Sequence, residues 1–269
     1  MLPRMPQRFA NKVIWITGAS SGIGASLARA LSAEGALLIL SARRTQRLQA
    51  LQAQLSRPDH TLVLPLDVTN PDAIEHAAKE ALRWQGHIDM LVNNAGISQR
   101  SCVTDTSMDT FRHVMEVNYF GIVHLTGRIL PTMIARREGH IVNISSVAGY
   151  ISTPMRSAYA ASKHAIRAYS NTLRAETHQH GLHVTVVCPG YIRTDISKSA
   201  LRGDGTPKGA HDQVILSGLD PNLAAKRMLN GIARNRFEIN VGGREILAIY
   251  CQRFLPRISA WFLPYAVPE

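Results

Sequence analysis

Cysteine is scarce in this chain. Cys102, Cys188 and Cys251 are odd in number and far apart. They form neither a disulfide framework nor the paired spacing of a zinc site, so a reducing, cytoplasmic setting is expected. Long apolar runs are also missing. No stretch reaches the roughly 18 uncharged apolar residues that suggest a membrane-spanning helix. The start, MLPRMPQRFANK, is basic, but the first apolar run, Val13 to Ile16, leads straight into a glycine turn. No signal peptide is read there. Repeats, low-complexity segments and linkers are absent. So are basic runs interleaved with aromatics, and nucleic acid is therefore not an expected partner. The net charge of +11 is then either a solubilising surface or an attraction for a phosphorylated cofactor or an anionic membrane face.

What is present is a 269-residue chain, 45% hydrophobic and 18% charged, enough for one large α/β domain. Short apolar runs alternate with amphipathic patterns, the mark of βαβ units and a parallel sheet. Strands are expected at 13–17, 36–41, 62–66, 88–92, 140–144 and 184–188, with a last one near 237–241. The first helix opens at the glycine turn and ends near Gly35. Asn70-Pro71 reads as an N-cap with proline in the first turn, and a long helix is expected over 157–178. The expected fold class is α/β: one doubly wound Rossmann domain spanning 1–269, a seven-stranded parallel sheet with helices on both faces. Residues 191–218, rich in Gly, Ser, Asp and Lys, break the pattern and read as a mobile substrate loop.

The glycine turn Thr17-Gly-Ala-Ser-Ser-Gly-Ile-Gly24 follows a strand and opens a helix. Gly18, Gly22 and Gly24 let the backbone turn sharply beside a pyrophosphate, where a helix N-terminus offers free N–H groups. A plain strand–helix turn needs glycine too. The second strand ends in Ser41-Ala-Arg-Arg44 with no acid to bind a ribose 2′-hydroxyl. Arg43 and Arg44 suit a 2′-phosphate, favouring NADP(H); the alternative is two solvated arginines at a helix start. Asp67 either accepts a hydrogen bond from an adenine amino group or caps a turn. Asn93-Asn94-Ala95-Gly96 ends the fourth strand with small residues that admit a ribose and nicotinamide.

Tyr159 and Lys163 are four residues apart and share a helix face. A neighbouring ammonium stabilises a phenolate, so Tyr159 can exchange a proton with a carbonyl or alcohol oxygen. Lys163 can also bond the nicotinamide ribose. Ser146 can hold the same substrate oxygen, and Asn118 can anchor a water between Lys163 and solvent.

With these motifs in this order, the chain resembles the short-chain dehydrogenase/reductase family, in its branch of about 250 residues, over roughly residues 10–240. The resemblance implies a catalytic tetrad of Asn118, Ser146, Tyr159 and Lys163. The family serine precedes the tyrosine by about thirteen residues, which selects Ser146 over Ser145. It implies cofactor contacts from Gly18, Ser20, Ser21, Gly22, Ile23 and Gly24, from Asp67 and Val68, and from Asn94, Ala95 and Gly96. Pro189, Gly190, Ile192 and Thr194 would meet the nicotinamide carboxamide, and Arg43 the 2′-phosphate. A homodimer or homotetramer is the family's habit.

Weaker signals remain. His178, His180 and His183 are either a metal cluster or a solvated helix end capped by Gly181, and no metal is expected. Cys188 reads as a buried structural thiol. In the apolar and basic tail 244–269, Ile246, Tyr250, Phe254, Ile258, Trp261 and Tyr265 recur at helical spacing. That stripe either packs on its own domain or a partner subunit, or makes a peripheral membrane contact with Arg244, Arg253 and Arg257 near phosphates. Val147, Tyr150, Met155, Ile192 and Ile196 suggest a pocket for an apolar small-molecule carbonyl or alcohol: steroid-, lipid- or xenobiotic-like. The expected activity is NADP(H)-dependent hydride transfer. The alternatives are an NAD-dependent alcohol dehydrogenase, a non-catalytic NADP-binding regulator, or a sugar-nucleotide epimerase, against which the short C-terminus argues.

Overall fold

The computed structural model describes residues 7–266. Its strands are β1 (Val13–Thr17), β2 (Leu37–Ser41), β3 (Thr61–Val63), β4 (Met90–Asn93), β5 (His140–Ile144), β6 (His183–Pro189) and β7 (Glu238–Val241). All pair in parallel in the order β3-β2-β1-β4-β5-β6-β7. The order reverses between β1 and β4, and an open α/β sheet offers its ligand crevice beyond the carboxyl ends of strands at such a point. The third strand ends at Val63, short of its apolar run, although Leu64 N and Leu66 N still donate to Leu40 O and Ala42 O.

The helices are α1 (Gly22–Ala33), α2 (Thr45–Gln52), α3 (Pro71–Gln85), α4 (Met108–Met115), α5 (Gly121–Arg136), α6 (Ser157–Thr177), α7 (Gln213–Leu216), α8 (Pro221–Ile232), α9 (Leu247–Phe254) and α10 (Pro256–Phe262). Strand alternation divides the core. Ile14 and Ile16 face a cluster with Leu27 and Leu31 of α1 and Met228 and Leu229 of α8. Val13 and Trp15 face the other, with Ile74 of α3, Leu125 and Ile129 of α5 and Leu173 of α6. Asn70 caps α3, its side chain accepting from Ala73 N, and Gly86 ends that helix at φ 78°. Gly35 (φ 85°) and Gly181 (φ 74°) occupy left-handed positions after α1 and after the His178–His180 turn.

A buried polar chain ties α6 to the sheet. Asn93 Nδ2 donates to Asn143 Oδ1 (2.8 Å) and Thr126 Oγ1 (3.0 Å), and Asn143 Nδ2 donates to Ser170 Oγ (2.8 Å). Such bonds carry direction that apolar packing lacks, and they set the helix carrying Tyr159 in register with β4 and β5.

Residues 191–218 are tied down at several points. Tyr191 O accepts from Leu219 N, Leu201 bridges Gln99, and Arg100 pairs with buried Asp212, which also bonds Lys208. The tail divides at Leu255–Pro256 into α9 and α10; its residues 267–269 lie outside the described ones. Among the described residues no helix is long and apolar enough to cross a membrane.

At the start of β5, buried His140 bonds Thr185 Oγ1 (2.8 Å), whose own proton goes to Arg236 O (2.7 Å). The imidazole Nε2–H is therefore the donor in that bond. Burial, with His183 alongside, pushes its pKa down to about 3. In the unfolded chain the same group titrates near ~6.5. The unfolded state then binds the extra proton, so this contribution to stability is complete above about pH 6.5 and is lost as pH falls towards about 3. His140→Gln, which keeps a donor, is expected to flatten the fall in melting temperature between about pH 7 and 4. Thermal melts giving parallel curves for both proteins would refute this assignment.

Candidate active site

The glycine turn sits where β1 hands over to α1. Gly18 and Gly22 adopt φ 64° and 54°, open to glycine without strain. Gly24 has another reason: a Cβ there would press into the Gly18 carbonyl and lie 2.6 Å from Asn94 Nδ2. Thr17 and Asn94 lock the turn to the end of β4. Thr17 Oγ1 accepts from Asn94 N (3.0 Å) and Ala95 N (3.1 Å), while Asn94 Nδ2 donates to Thr17 O (3.0 Å) and Gly18 O (3.1 Å).

Two adjoining cavities open along the strand ends. The larger, about 730 Å3, is lined by Gly18, Ser20, Ser21, Gly22, Ile23, Arg43, Arg44, Asp67, Val68, Asn94, Ala95, Gly96 and Thr194. Gly24 is buried behind that wall and does not line it. Arg47 and Lys198 join Arg43 and Arg44. Burial and then the charges of Arg47 and Arg43 hold Arg44 below its ordinary pKa, and Asp195 on the same wall offsets them only in part. Asp67 turns Oδ1 onto Thr69 N (3.0 Å) and Oγ1 (2.8 Å). Burial opposes ionisation there, but these bonds hold the carboxyl below its usual range. The turn cap is thus present, beside the cavity.

The second cavity, about 450 Å3, is lined by Ser146, Tyr159, Lys163, Pro189, Gly190 and Ile192, and shares Ile23, Asn94, Gly96 and Thr194 with the first. Lys163 and Tyr159 are both buried, with Nζ 5.8 Å from the ring centre of Tyr159. Nζ donates to Ile144 O (2.9 Å), and burial pushes the ammonium down to about 8. Ser146 starts a short turn, accepting from Ala148 N (3.1 Å), whereas Ser145 is committed to Lys163 O (2.9 Å). Asn118 lies in a π turn, Glu116–Phe120, between α4 and α5. Its Oδ1 accepts from Ile97 N (2.8 Å), and its Nδ2 donates to Ile97 O and Ser162 Oγ (both 2.9 Å). It lines neither cavity but sits beside Gly96, whose Cβ position is 3.2 Å from Asn118 Oδ1 and 3.4 Å from Lys163 Nζ.

Of the apolar residues expected around a substrate, Val147, Ile192 and Ile196 line the smaller cavity and Tyr150 and Met155 do not. Tyr150 turns outward to bond Glu238 and lies under Arg167, 3.2 Å from its ring centre. Met155 takes a left-handed backbone, φ 61°. The tail supplies a wall that sequence reasoning missed: Ala248, Cys251, Ser259, Phe262 and Leu263 line the cavity. The stripe of Tyr250, Phe254, Ile258, Trp261 and Tyr265 faces outward instead of packing on the domain. Arg100 and Arg156, also on the cavity wall, went unrecognised; the one signal for Arg156 was its place three residues before Tyr159. Cys188 is buried and its thiol is pushed up to about 12 by burial. Among the described residues no His, Cys, Asp or Glu group could hold a metal ion.

Residues 12–204 match the family model described as short chain dehydrogenase. The chain is 42% identical over 261 residues to dehydrogenase/reductase SDR family member 7B of Bos taurus, covering 94% of this chain and 80% of that one. It is also similar to a Burkholderia phymatum short chain dehydrogenase/reductase solved with NAD: TM-score 0.83, 27% identity, 93% and 96% of the two chains covered. A gluconate 5-dehydrogenase from Burkholderia cenocepacia, solved with NADP and tartrate, gives TM-score 0.67 and 30% identity over 71% and 76%.

The glycine positions give a paired test. Gly24→Ala is expected to cost about 1–3 kcal/mol through overpacking against backbone. Gly127→Ala, exposed inside α5 with nothing within 4 Å, is expected to stabilise by about 0.5–1 kcal/mol. Urea unfolding reads both, and equal effects would show that Gly24 is not sterically required.

Proposed function

The chain belongs to the short-chain dehydrogenase family of oxidoreductases, and from that premise we propose that it reduces carbonyl compounds reversibly with NADP(H). The observation that carries this reading is the pairing of Tyr159 with a buried ammonium, Lys163, in a cavity continuous with an arginine-lined cleft. The cleft suits a dinucleotide: Gly18 to Ile23 would cradle its pyrophosphate, Asp67 and Val68 the adenine, and Asn94 to Gly96 the nicotinamide ribose. Arg43 and Arg44, with no competing carboxylate at the end of β2, would hold a 2′-phosphate.

When bound, the nicotinamide supplies or accepts the hydride at C4. The chain's own residues handle the oxygen. Tyr159 donates its phenolic proton to the substrate oxygen in reduction and recovers it in oxidation. Ser146 donates a hydrogen bond to that oxygen as charge develops. Lys163, when charged, favours the phenolate and also bonds the ribose. Asn118 holds the Ile97 backbone and anchors a water leading from Lys163 to solvent. Pro189, Gly190, Ile192 and Thr194 fix the carboxamide edge. Ile151, Ile192, Ile196 and Phe262 add apolar wall for the rest of a substrate.

Two assemblies complete the reading. A homodimer or homotetramer forms on the long helices. The outer face of the tail rests on an anionic membrane surface; its support is the exposed row Tyr250, Phe254, Ile258, Trp261 and Tyr265 with Arg253 and Arg257 exposed among them. Trp261→Ser with Phe254→Ser is expected to weaken co-flotation with phosphatidylserine vesicles at least about tenfold, and unchanged flotation would reject the contact.

The cofactor is tested by titrating nicotinamide fluorescence with NADPH and NADH. NADPH is expected to bind more tightly, by a factor that Arg43→Ala cuts about tenfold or more. Tyr159→Phe should keep that binding and lose about 100-fold or more in turnover. Equal NADH binding, or an active Tyr159→Phe enzyme, would defeat the respective assignments.

A further inference from the structure

The smaller cavity holds a charge that no hydrogen bond among the described residues answers. Arg156, just ahead of α6, is nine-tenths buried, and its Nε and Nη2 have no hydrogen-bond partner. It lines the cavity with Tyr159, one helical turn further on. A buried guanidinium without a partner is costly, and proteins normally pair one or bring it to a ligand.

The neighbouring charges do not supply that partner. Arg100, buried beside it, gives Nε (3.0 Å) and Nη2 (2.6 Å) to Asp212 and Nη1 to Ser98 Oγ (3.1 Å) and Gln99 O (3.0 Å). Asp212 is also bonded by Lys208. One carboxylate thus faces two cations before Arg156 is counted, leaving the group with two surplus positive charges. Glu245, the carboxylate on the cavity wall, is turned onto Tyr191 N (2.8 Å) and Gly243 N (2.9 Å). Burial and then the charge of Arg100 hold Arg156 below its ordinary pKa, and Tyr159, Tyr191 and Asp212 offset them only in part. Ile151, Ile192, Ile196, Phe262 and Leu263 give the cavity a mostly apolar surface away from these charges.

We propose that the substrate is an amphiphile: an apolar chain whose carbonyl lies close to an oxyanion, carboxylate or phosphate monoester, bound by the fork of Arg156. This rests on the reading of the cavity as a carbonyl-reduction site and narrows its substrate class. A guanidinium offers two parallel N–H donors to such a group, and an arginine one turn from Tyr159 fixes which carbonyl of the molecule meets the phenol.

The probes are dodecyl phosphate, dodecanoate and dodecanol, each titrated by thermal shift against protein saturated with NADPH, so that the Arg43–Arg44 wall is occupied. At least one anion is expected to bind about tenfold or more tightly than dodecanol; whichever anion is preferred identifies the head group. Arg156→Met should abolish that preference, and Arg156→Lys should keep part of it by charge alone. Without ligand, Arg156→Met should melt no lower than the parent, because it removes a charge that has no partner. Dodecanol binding as tightly as both anions, or a preference that survives in Arg156→Met, would overturn the proposal. The readout does not need turnover. If NADPH fails to bind, the cofactor reading falls, and the same titrations on ligand-free parent and Arg156→Met protein still decide whether this arginine holds an anion.

Discussion

The seam between β1 and β4 is the constraint on which the site depends. Both strands end at the same sheet edge, and the chain reverses its order there, so a crevice opens that no connection crosses. Such a seam would be loose if ladder bonds alone held it, because those stop at the strand ends. The Thr17–Asn94 exchange carries the pairing one step further, clamping the glycine turn to the loop after β4 across 77 residues of sequence. The buried Asn93–Asn143–Ser170 chain extends the same alignment to α6. Both cavity floors are therefore built on main-chain positions that cannot slide independently.

Much of this was legible because a parallel sheet covered on both faces needs continuous apolar strands, and β1, β2 and β4 read as little else. The glycine turn, the Asn70-Pro71 cap and the Tyr159–Lys163 spacing are local signals, and local signals survive translation into structure. Tyr150 and Met155 failed as pocket residues for the opposite reason. Their neighbourhood was right, but side-chain direction in a loop is set by remote partners, here Glu238 and Arg167 for Tyr150. The tail's helical spacing was real, yet periodicity gives a face without saying what lies against it. Ala248, Cys251, Ser259 and Phe262 line the cavity, while Tyr250, Phe254, Trp261 and Tyr265 face outward. Arg156 was invisible because an arginine's burial cannot be read from sequence when its neighbours come from residues 100 and 212.

Charge is distributed along the cleft in an orderly way. Its far end is walled by Arg43, Arg44 and Arg47, its near end by Arg156 and the Arg100–Asp212 pair, and Lys163 lies between, pushed down by burial. Of the acidic groups along the cleft, Asp67 is turned onto Thr69 and Glu245 onto Tyr191 N and Gly243 N, while Asp195 offsets Arg44 only in part. A crevice with low-dielectric walls focuses such a field. Part of the +11 net charge is thus concentrated where ligands enter rather than spread over the surface.

The π turn that carries Asn118 has a bearing on how this site was assembled. Such a turn holds one residue more than the α-helical turn it replaces, and it commonly marks a functional position. Taking one residue out of 116–120 would leave α4 and α5 as a single unbroken α-helix, each half still presenting its apolar face to α3 and α6. Only the side chain at the bulge would swing away from Ile97 and Ser162. A one-codon insertion in an ordinary helix is thus enough to create this position, at a small local cost in regularity and none in the core. The asparagine is, in that sense, a feature separable from the scaffold that displays it.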